Sequence, residues 1–203
     1  QQVSKVQVNS MGGPQGPPIF FSIPRARMIR LYYGSDTQKT HHVVQNVLLP
    51  ILERQRVHVK DKVIAELTDD DWSNHEVFIL GVPTWYYGEL QSDWEAYFEH
   101  FKTLDFSGKT IALFGLGDQW GYDEWFIDGV GILADALLDS GATLVGAWPT
   151  EGYDFQNDPK SKRSLNINGN LGRRSGYIYI QKACFFLTPV VSVHLLVANL
   201  MNF

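Results

Sequence analysis

The sequence predicts an α/β fold, a doubly wound parallel sheet with helices on both faces. Three observations carry this. Short apolar runs alternate with helix-length segments across residues 28–150. The runs are continuously apolar, as strands buried on both faces are. Glycines stand where helices should stop, Gly141 after one helix and Gly108 before a strand.

The elements follow in order. Met28–Tyr33 is a strand candidate, and 40–54 a helix that Pro50 should kink or end, because proline removes an N–H and clashes with the preceding turn. A short strand is expected at 57–59 and a strong one at 77–82. Residues 93–104 read as a helix with Trp94, Tyr97, Phe98 and Phe101 at 3.6-residue spacing. A strand at 110–114, a helix at 124–140 and a strand at 143–148 complete the pattern.

Composition narrows the function classes. The chain has 203 residues, 44% hydrophobic and 19% charged, which reads as soluble and globular. A single cysteine, Cys184, excludes an internal disulfide and a multi-cysteine zinc site. The net charge of −5 argues against a nucleic-acid binder. All 22 acidic residues lie in 28–170 beside 11 of the 17 Lys and Arg, so that segment carries −11. Residues 1–27 and 171–203 contain no acid at all. The expected division is therefore a disordered, Gly/Pro-rich extension at 1–27, a domain at 28–170 and a divergent apolar tail at 171–203. The run Ile19-Phe20-Phe21 is too short for a signal peptide. Pro189, His194 and Asn199 interrupt the tail as a membrane anchor. The abrupt change of character there suggests a frameshifted or misjoined reading frame, with 175–180 able to pair as a substitute strand.

Ligands of such sheets bind beyond the carboxyl ends of the strands, which directs attention to three loops. Gly34-Ser35-Asp36-Thr37-Gln38-Lys39-Thr40 offers hydroxyls and backbone N–H groups at a helix start. That set suits a phosphate, though it also suits a capped helix start with Thr37 or Thr40 as N-cap. It lacks the Gly-Lys-Ser/Thr ending of a Walker loop. Pro83-Thr84-Trp85-Tyr86-Tyr87-Gly88 places large aromatics directly after a buried strand, either to stack on a flat ring or to form a satellite core. In Gly115-Leu116-Gly117-Asp118-Gln119-Trp120-Gly121-Tyr122, Asp118 can accept from a ring N–H and Tyr122 can cover a ring face. Asp118 as a helix cap in a Gly turn is the plainer possibility. Together the loops describe a site for a phosphorylated planar heterocycle. No His, Cys or carboxylate constellation suggests a metal or a nucleophile, and His41-His42 reads as solvent-facing.

These residues resemble a known family. Ser35 to Thr40, Pro83-Thr84-Trp85 with Gly88 to Glu95, Gly115 to Gln119 with Gly121-Tyr122, and Trp148 to Phe155 are similar to motifs of bacterial long-chain flavodoxins. The segment Glu151 to Asn170 is similar to the loop that interrupts their fifth strand. The resemblance implies a five-stranded parallel sheet of order 2-1-3-4-5 that binds one FMN noncovalently. The implied role is low-potential single-electron transfer between redox proteins, such as a flavodoxin/ferredoxin NADP reductase and acceptor enzymes. An acidic surface would do the docking, and the protein would be a cytoplasmic monomer. An FMN-dependent NAD(P)H or quinone reductase on the same fold, or a defective product, is the alternative. By this resemblance Ser35, Asp36, Thr37, Gln38, Lys39 and Thr40 hold the phosphate. Trp85 and Tyr122 flank the ring, Asp118 meets its pyrimidine edge, and the backbone near Tyr86-Tyr87 approaches the flavin N5. Pro83, Thr84, Gly88, Leu116, Gly117 and Asp154 complete the implied cofactor contacts. Gln38 stands where the family usually has Gly, and Tyr86 where many members have a small residue.

Overall fold

In a computed structural model of the chain, the described residues are 28–118 and 120–146, with 148–149 and 177–178 as short strands. Strand β1 (Ile29–Tyr33) is followed by helix α1 (Lys39–Val43), a π turn (Val44–Leu48) and helix α2 (Leu49–Arg54), which run on without a break. Of the two expected effects, Pro50 does not end this helix. It lies in the first turn of α2, where a missing N–H is tolerated, just past the π turn that changes the hydrogen-bond register. Strand β2 (Val59–Val63) follows, then a 3-10 turn (Ile64–Glu66) and helix α3 (Asp69–Ser73). Next come β3 (Val77–Trp85), β4 (Glu89–Leu90), α4 (Ser92–Phe101), β5 (Thr110–Leu116), a 3-10 turn (Asp123–Trp125), α5 (Asp128–Asp139) and β6 (Thr143–Val145). Two-residue strands β7 (Trp148–Pro149) and β8 (Tyr177–Ile178) pair antiparallel with each other.

The main sheet runs β2-β1-β3-β5-β6, all parallel, with β4 added antiparallel to the end of β3. Counted over the parallel strands alone this is the order 2-1-3-4-5. Strand order reverses between β1 and β3, so the crevice outside their carboxyl ends is the place for a ligand.

Several element boundaries differ from the sequence reading, each for a physical reason. The second strand is Val59–Val63, not 57–59. Arg56 takes a left-handed φ of 61° and Val57 donates its N–H to the Leu52 carbonyl, so Val57 closes the helix end. The strand itself reads VKDKV, the charged pattern of an edge strand. Helix α3 is short and acidic and shows no apolar periodicity. A capping box between Thr68 and Asp71 marks its start, and Trp72 is its buried anchor. A separate 3-10 turn (Asp123–Trp125) and a left-handed Ile127 delay α5 to Asp128. The last strand of the main sheet stops at Val145, and Trp148–Pro149 belongs to the small second sheet. Tyr177–Ile178 pairs there rather than extending the main sheet.

Alternation along the strands splits the core in two. Ile29, Leu31, Tyr33, Val77, Ile79, Ala112 and Phe114 face Val44, Leu48, Ile51 and Leu52 of the first helix. Tyr32, Phe78, Leu80, Val82, Ile111 and Leu113 face Trp72, Trp94, Phe101 and the α5 residues Val130, Leu133 and Leu137. Each of these large side chains contributes about 1.5–3 kcal/mol on burial. That burial fixes the strand ends, and hence the loops beyond them. The expected helix stop after α5 holds, with Gly141 at a φ of 81° that an L side chain resists.

Candidate functional site

Loops from the carboxyl ends of β1, β3 and β5 converge on one cavity of about 670 Å3. The β1 loop contributes Asp36, Thr37, Lys39 and Thr40 to its lining, the β3 loop Pro83 to Tyr86, and the β5 loop Leu116, Gly117, Asp118 and Tyr122. Ser35, Gln38, Tyr87 and Gly88 are not among the lining residues. They shape the loops instead. Asp154 lies outside the described residues.

The β1 loop is built to bare backbone donors. Gln38 occupies the N-cap position with φ 62° and ψ 3°, and no side chain there caps the helix. Neither Thr37 nor Thr40 is the N-cap, as a plain helix start would have required. The nearest substitute is Ser35, whose Oγ accepts from the His41 N–H at 3.1 Å. That bond uses a lone pair, not the hydroxyl hydrogen. Thr40 is buried at the floor. His41 is not solvent-facing: its Nδ1 lies 2.7 Å from the Tyr33 hydroxyl, and only His42 is exposed.

Asp36 is the acid of this loop, and its carboxylate is engaged. Oδ1 accepts from Gln91 Nε2 at 2.7 Å and from Ser92 Oγ at 2.5 Å. Burial works to raise its pKa, but the hydrogen bonds from Ser92 and Gln91 outweigh this and hold it below the usual carboxylate value.

The β3 loop is a hairpin tip. Thr84 pairs with Leu90 and Trp85 with Glu89, so Tyr86, Tyr87 and Gly88 form the turn. Both Tyr86 (φ 42°) and Gly88 (φ 86°) have positive φ. At Gly88 a Cβ would also meet the Asp128 carboxylate. Tyr86 and Tyr87 are 62% and 66% exposed, so they are not a satellite core. Trp85 is half-buried and its ring lies 5.6 Å from that of Tyr86. Tyr87 meets Trp125 edge-on at 4.9 Å, and Thr84 Oγ1 accepts from the Gly129 N–H. These two contacts fasten the β3 loop to the start of α5.

In the β5 loop Asp118 Oδ1 accepts from the N–H groups of Trp120 and Gly121, both at 3.0 Å. Those donors hold its pKa below the ordinary value. Oδ1 thus closes the turn, and Oδ2 lies beside the Gly121 backbone. Tyr122 is 46% exposed at the cavity wall.

Four lining residues escaped the sequence reading: Val43, Trp120, Trp125 and Phe126. Trp120 and Trp125 carried a usable signal, since two more tryptophans beside an aromatic-rich loop extend the same pattern. Val43 and Phe126 look like ordinary core residues, and only the packing aims them at the cavity. Among the described residues no cluster of three or more His, Cys, Asp or Glu is placed to hold a metal. Nor is any described helix long and apolar enough to cross a membrane.

Comparison with known proteins identifies the family. The family model described as Flavodoxin matches residues 31–165. A flavodoxin of Klebsiella pneumoniae is 42% identical over 129 residues, 64% of this chain and 72% of that protein. Flavodoxin 1 of Escherichia coli K12 is 41% identical over 126 residues, 62% and 70% of the two chains. Among solved structures, the Fusobacterium nucleatum flavodoxin bound to flavin mononucleotide superposes with a TM-score of 0.59 at 28% identity, covering 64% of this chain and 75% of that one. A family-model match over more than half the sequence places the chain in the flavodoxin family.

Proposed function

We propose that this chain binds one FMN noncovalently in the 670 Å3 cavity and carries single electrons at low potential between redox proteins. The observation that carries the reading is the convergence of three strand-end loops on one cavity in a member of the flavodoxin family. Its lining combines the hydroxyls and helix-start N–H groups of the β1 loop with aromatic rings of the other two loops. The volume lies within the ~300–1,000 Å3 of small-molecule sites. The donor set also fits the group. Orphan N–H donors and the helix dipole favour an anion, and aromatic faces favour a flat ring.

In this reading residues 28–170 are the FMN-binding domain. Asp36, Thr37, Lys39 and Thr40 meet the phosphate from the cavity lining, Ser35 and Gln38 shape the loop that holds them there, and Trp85 and Tyr122 are the ring walls. Asp118 receives a ring N–H, the Tyr86-Tyr87 backbone lies near the flavin edge, and Asp154 belongs to the cofactor contacts. The bound FMN supplies a ring that accepts and returns electrons. The protein's part is to surround the ring with groups that resist added negative charge, which lowers the potential. Exposed Asp36, Glu89, Asp118 and Glu124 around the rim give basic redox partners, an NADP-linked reductase among them, a salt-dependent docking field. The carrier is a cytoplasmic monomer in this reading. It turns over no substrate of its own in this reading, since a ring covered by Tyr122 argues against access by a nicotinamide or quinone.

Titration of the flavin-free chain with FMN tests this. One equivalent should bind, quench its own fluorescence and give a yellow protein. A demonstrably folded chain that stays colourless with excess FMN refutes the reading. Turnover of NADPH by the flavin-loaded chain alone would replace the carrier with a reductase.

A further inference from the structure

Gln91 is fully buried and polar, and it stands outside the cavity lining. Its amide is nearly saturated. Nε2 donates to Asp36 Oδ1 at 2.7 Å and Asp93 Oδ2 at 2.9 Å, and Oε1 accepts from the Trp94 N–H at 3.3 Å. The orientation is forced, because two carboxylates demand a donor and an amide N–H demands an acceptor. Trp94 is anchored in turn, its Nε1 donating to the Gly81 carbonyl at 2.9 Å inside the core. The β1 loop packs directly on this group: a Cβ at Gly34 would overlap the Gln91 amide and the Trp94 indole.

A carboxylate in a loop that faces a phosphate is a liability, since like charges at contact distance repel strongly in a partly dry site. Asp36 is such a carboxylate, and it lines the cavity. Its oxygens are taken up by Gln91 Nε2, Ser92 Oγ and the Ser92 N–H. We propose that Gln91, assisted by Ser92, is a positioning residue for phosphate recognition, holding the Asp36 carboxylate turned onto itself so that the β1 loop presents donors rather than carboxylate oxygens to the FMN phosphate. This rests on the FMN reading above. It goes beyond that reading in assigning phosphate selectivity to a buried helix-capping side chain that touches no cofactor.

The test compares two flavins that differ only in the phosphate. The full chain, freed of flavin, is titrated with FMN and with riboflavin, following flavin fluorescence. Removing a hydrogen bond to a charged group costs on the order of tenfold in an equilibrium constant. Gln91→Leu should therefore raise the FMN Kd about tenfold or more while moving the riboflavin Kd less than about twofold. Ser92→Ala, at an exposed position that keeps the core intact, should shift the two Kd values in the same selective way. In an Asp36→Asn background, Gln91→Leu should lose its phosphate-selective penalty. Equal weakening of both flavins by either variant would mean a general structural role and overturn the proposal. So would an unchanged FMN Kd, or a penalty that persists in the Asp36→Asn background. A wild-type chain that binds riboflavin and FMN equally tightly would overturn it while leaving the flavin site standing. A wild-type chain that binds neither would overturn the functional reading itself.

Discussion

Gln38 is an exposed residue held in the left-handed region, at φ 62° and ψ 3°, directly before the first helix. For an L residue with a Cβ this conformation costs roughly 1–2 kcal/mol. Glycine removes that cost but loses about 0.5–1 kcal/mol through the larger entropy of its unfolded chain. The Gln38 side chain makes no cap hydrogen bond that the change would forfeit. Gln38→Gly should thus stabilise the chain by a net ~0.5–1 kcal/mol. For a domain of this size that is a rise in Tm of roughly 1–4 °C. Thermal unfolding followed by circular dichroism, on flavin-free chains so that ligand linkage does not enter, measures the shift. Gln38→Val is the opposing control, since a β-branched residue tolerates this region least and should lower Tm. An unchanged or lower Tm for Gln38→Gly would refute the strain argument. Ile127 makes the contrast useful. It too is left-handed, at φ 61°, but it is buried in the core, so Ile127→Gly should destabilise despite relieving the same strain, because the lost burial is worth about 1.5–3 kcal/mol.

Further outcomes follow from other sites. Burial and the Arg30 guanidinium, 2.6 Å from His75 Nε2, hold the His75 pKa below its usual value against a smaller opposing pull from Asp71. A folded pKa below the unfolded one means that this contribution is whole above about pH 6.5 and is lost as pH falls through the folded value. Urea denaturation across pH should show stability declining from about 6.5 downward, with a flatter decline in His75→Gln; identical slopes would exclude His75 as the cause. Trp94→Phe keeps a ring in the core but leaves the Gly81 carbonyl without its donor, so the urea midpoint should fall by the equivalent of ~1–3 kcal/mol at unchanged m. Tyr122→Ala should weaken FMN binding and raise the lowest redox potential, measured by titration and spectroelectrochemistry. No change in either would remove Tyr122 from the ring wall.

The sheet was legible because its strands are buried on both faces. Runs such as FILGV at 78–82 have no partner but a parallel core, and they announce themselves without any knowledge of neighbours. Edge and acidic elements were not. Strand β2 is charged because only one neighbour and partial burial constrain it, and α3 is too short for a period to emerge. The site divides in the same way. Loops after β1, β3 and β5 stood out through residue types odd for plain loops, and residues from all three do line the cavity. Gln91 was visible only as one letter of a motif. Its role depends on Asp36, 55 positions away, coming within hydrogen-bond reach.

Sequence by itself determined the alternation of strands and helices, the acidic body and the chemical character of the three loops. Each of those is a property of local residue types and their spacing. Tertiary structure alone decided which side chains meet. It turned the Tyr86-Tyr87-Gly88 tip out on a hairpin, brought Tyr87 onto Trp125, tied His41 to the Tyr33 hydroxyl and matched the Asp36 carboxylate to the Gln91 amide. The physical reason is that hydrogen bonds and ring contacts act over a few ångströms of space. Positions far apart along the chain share that space only after the core has packed.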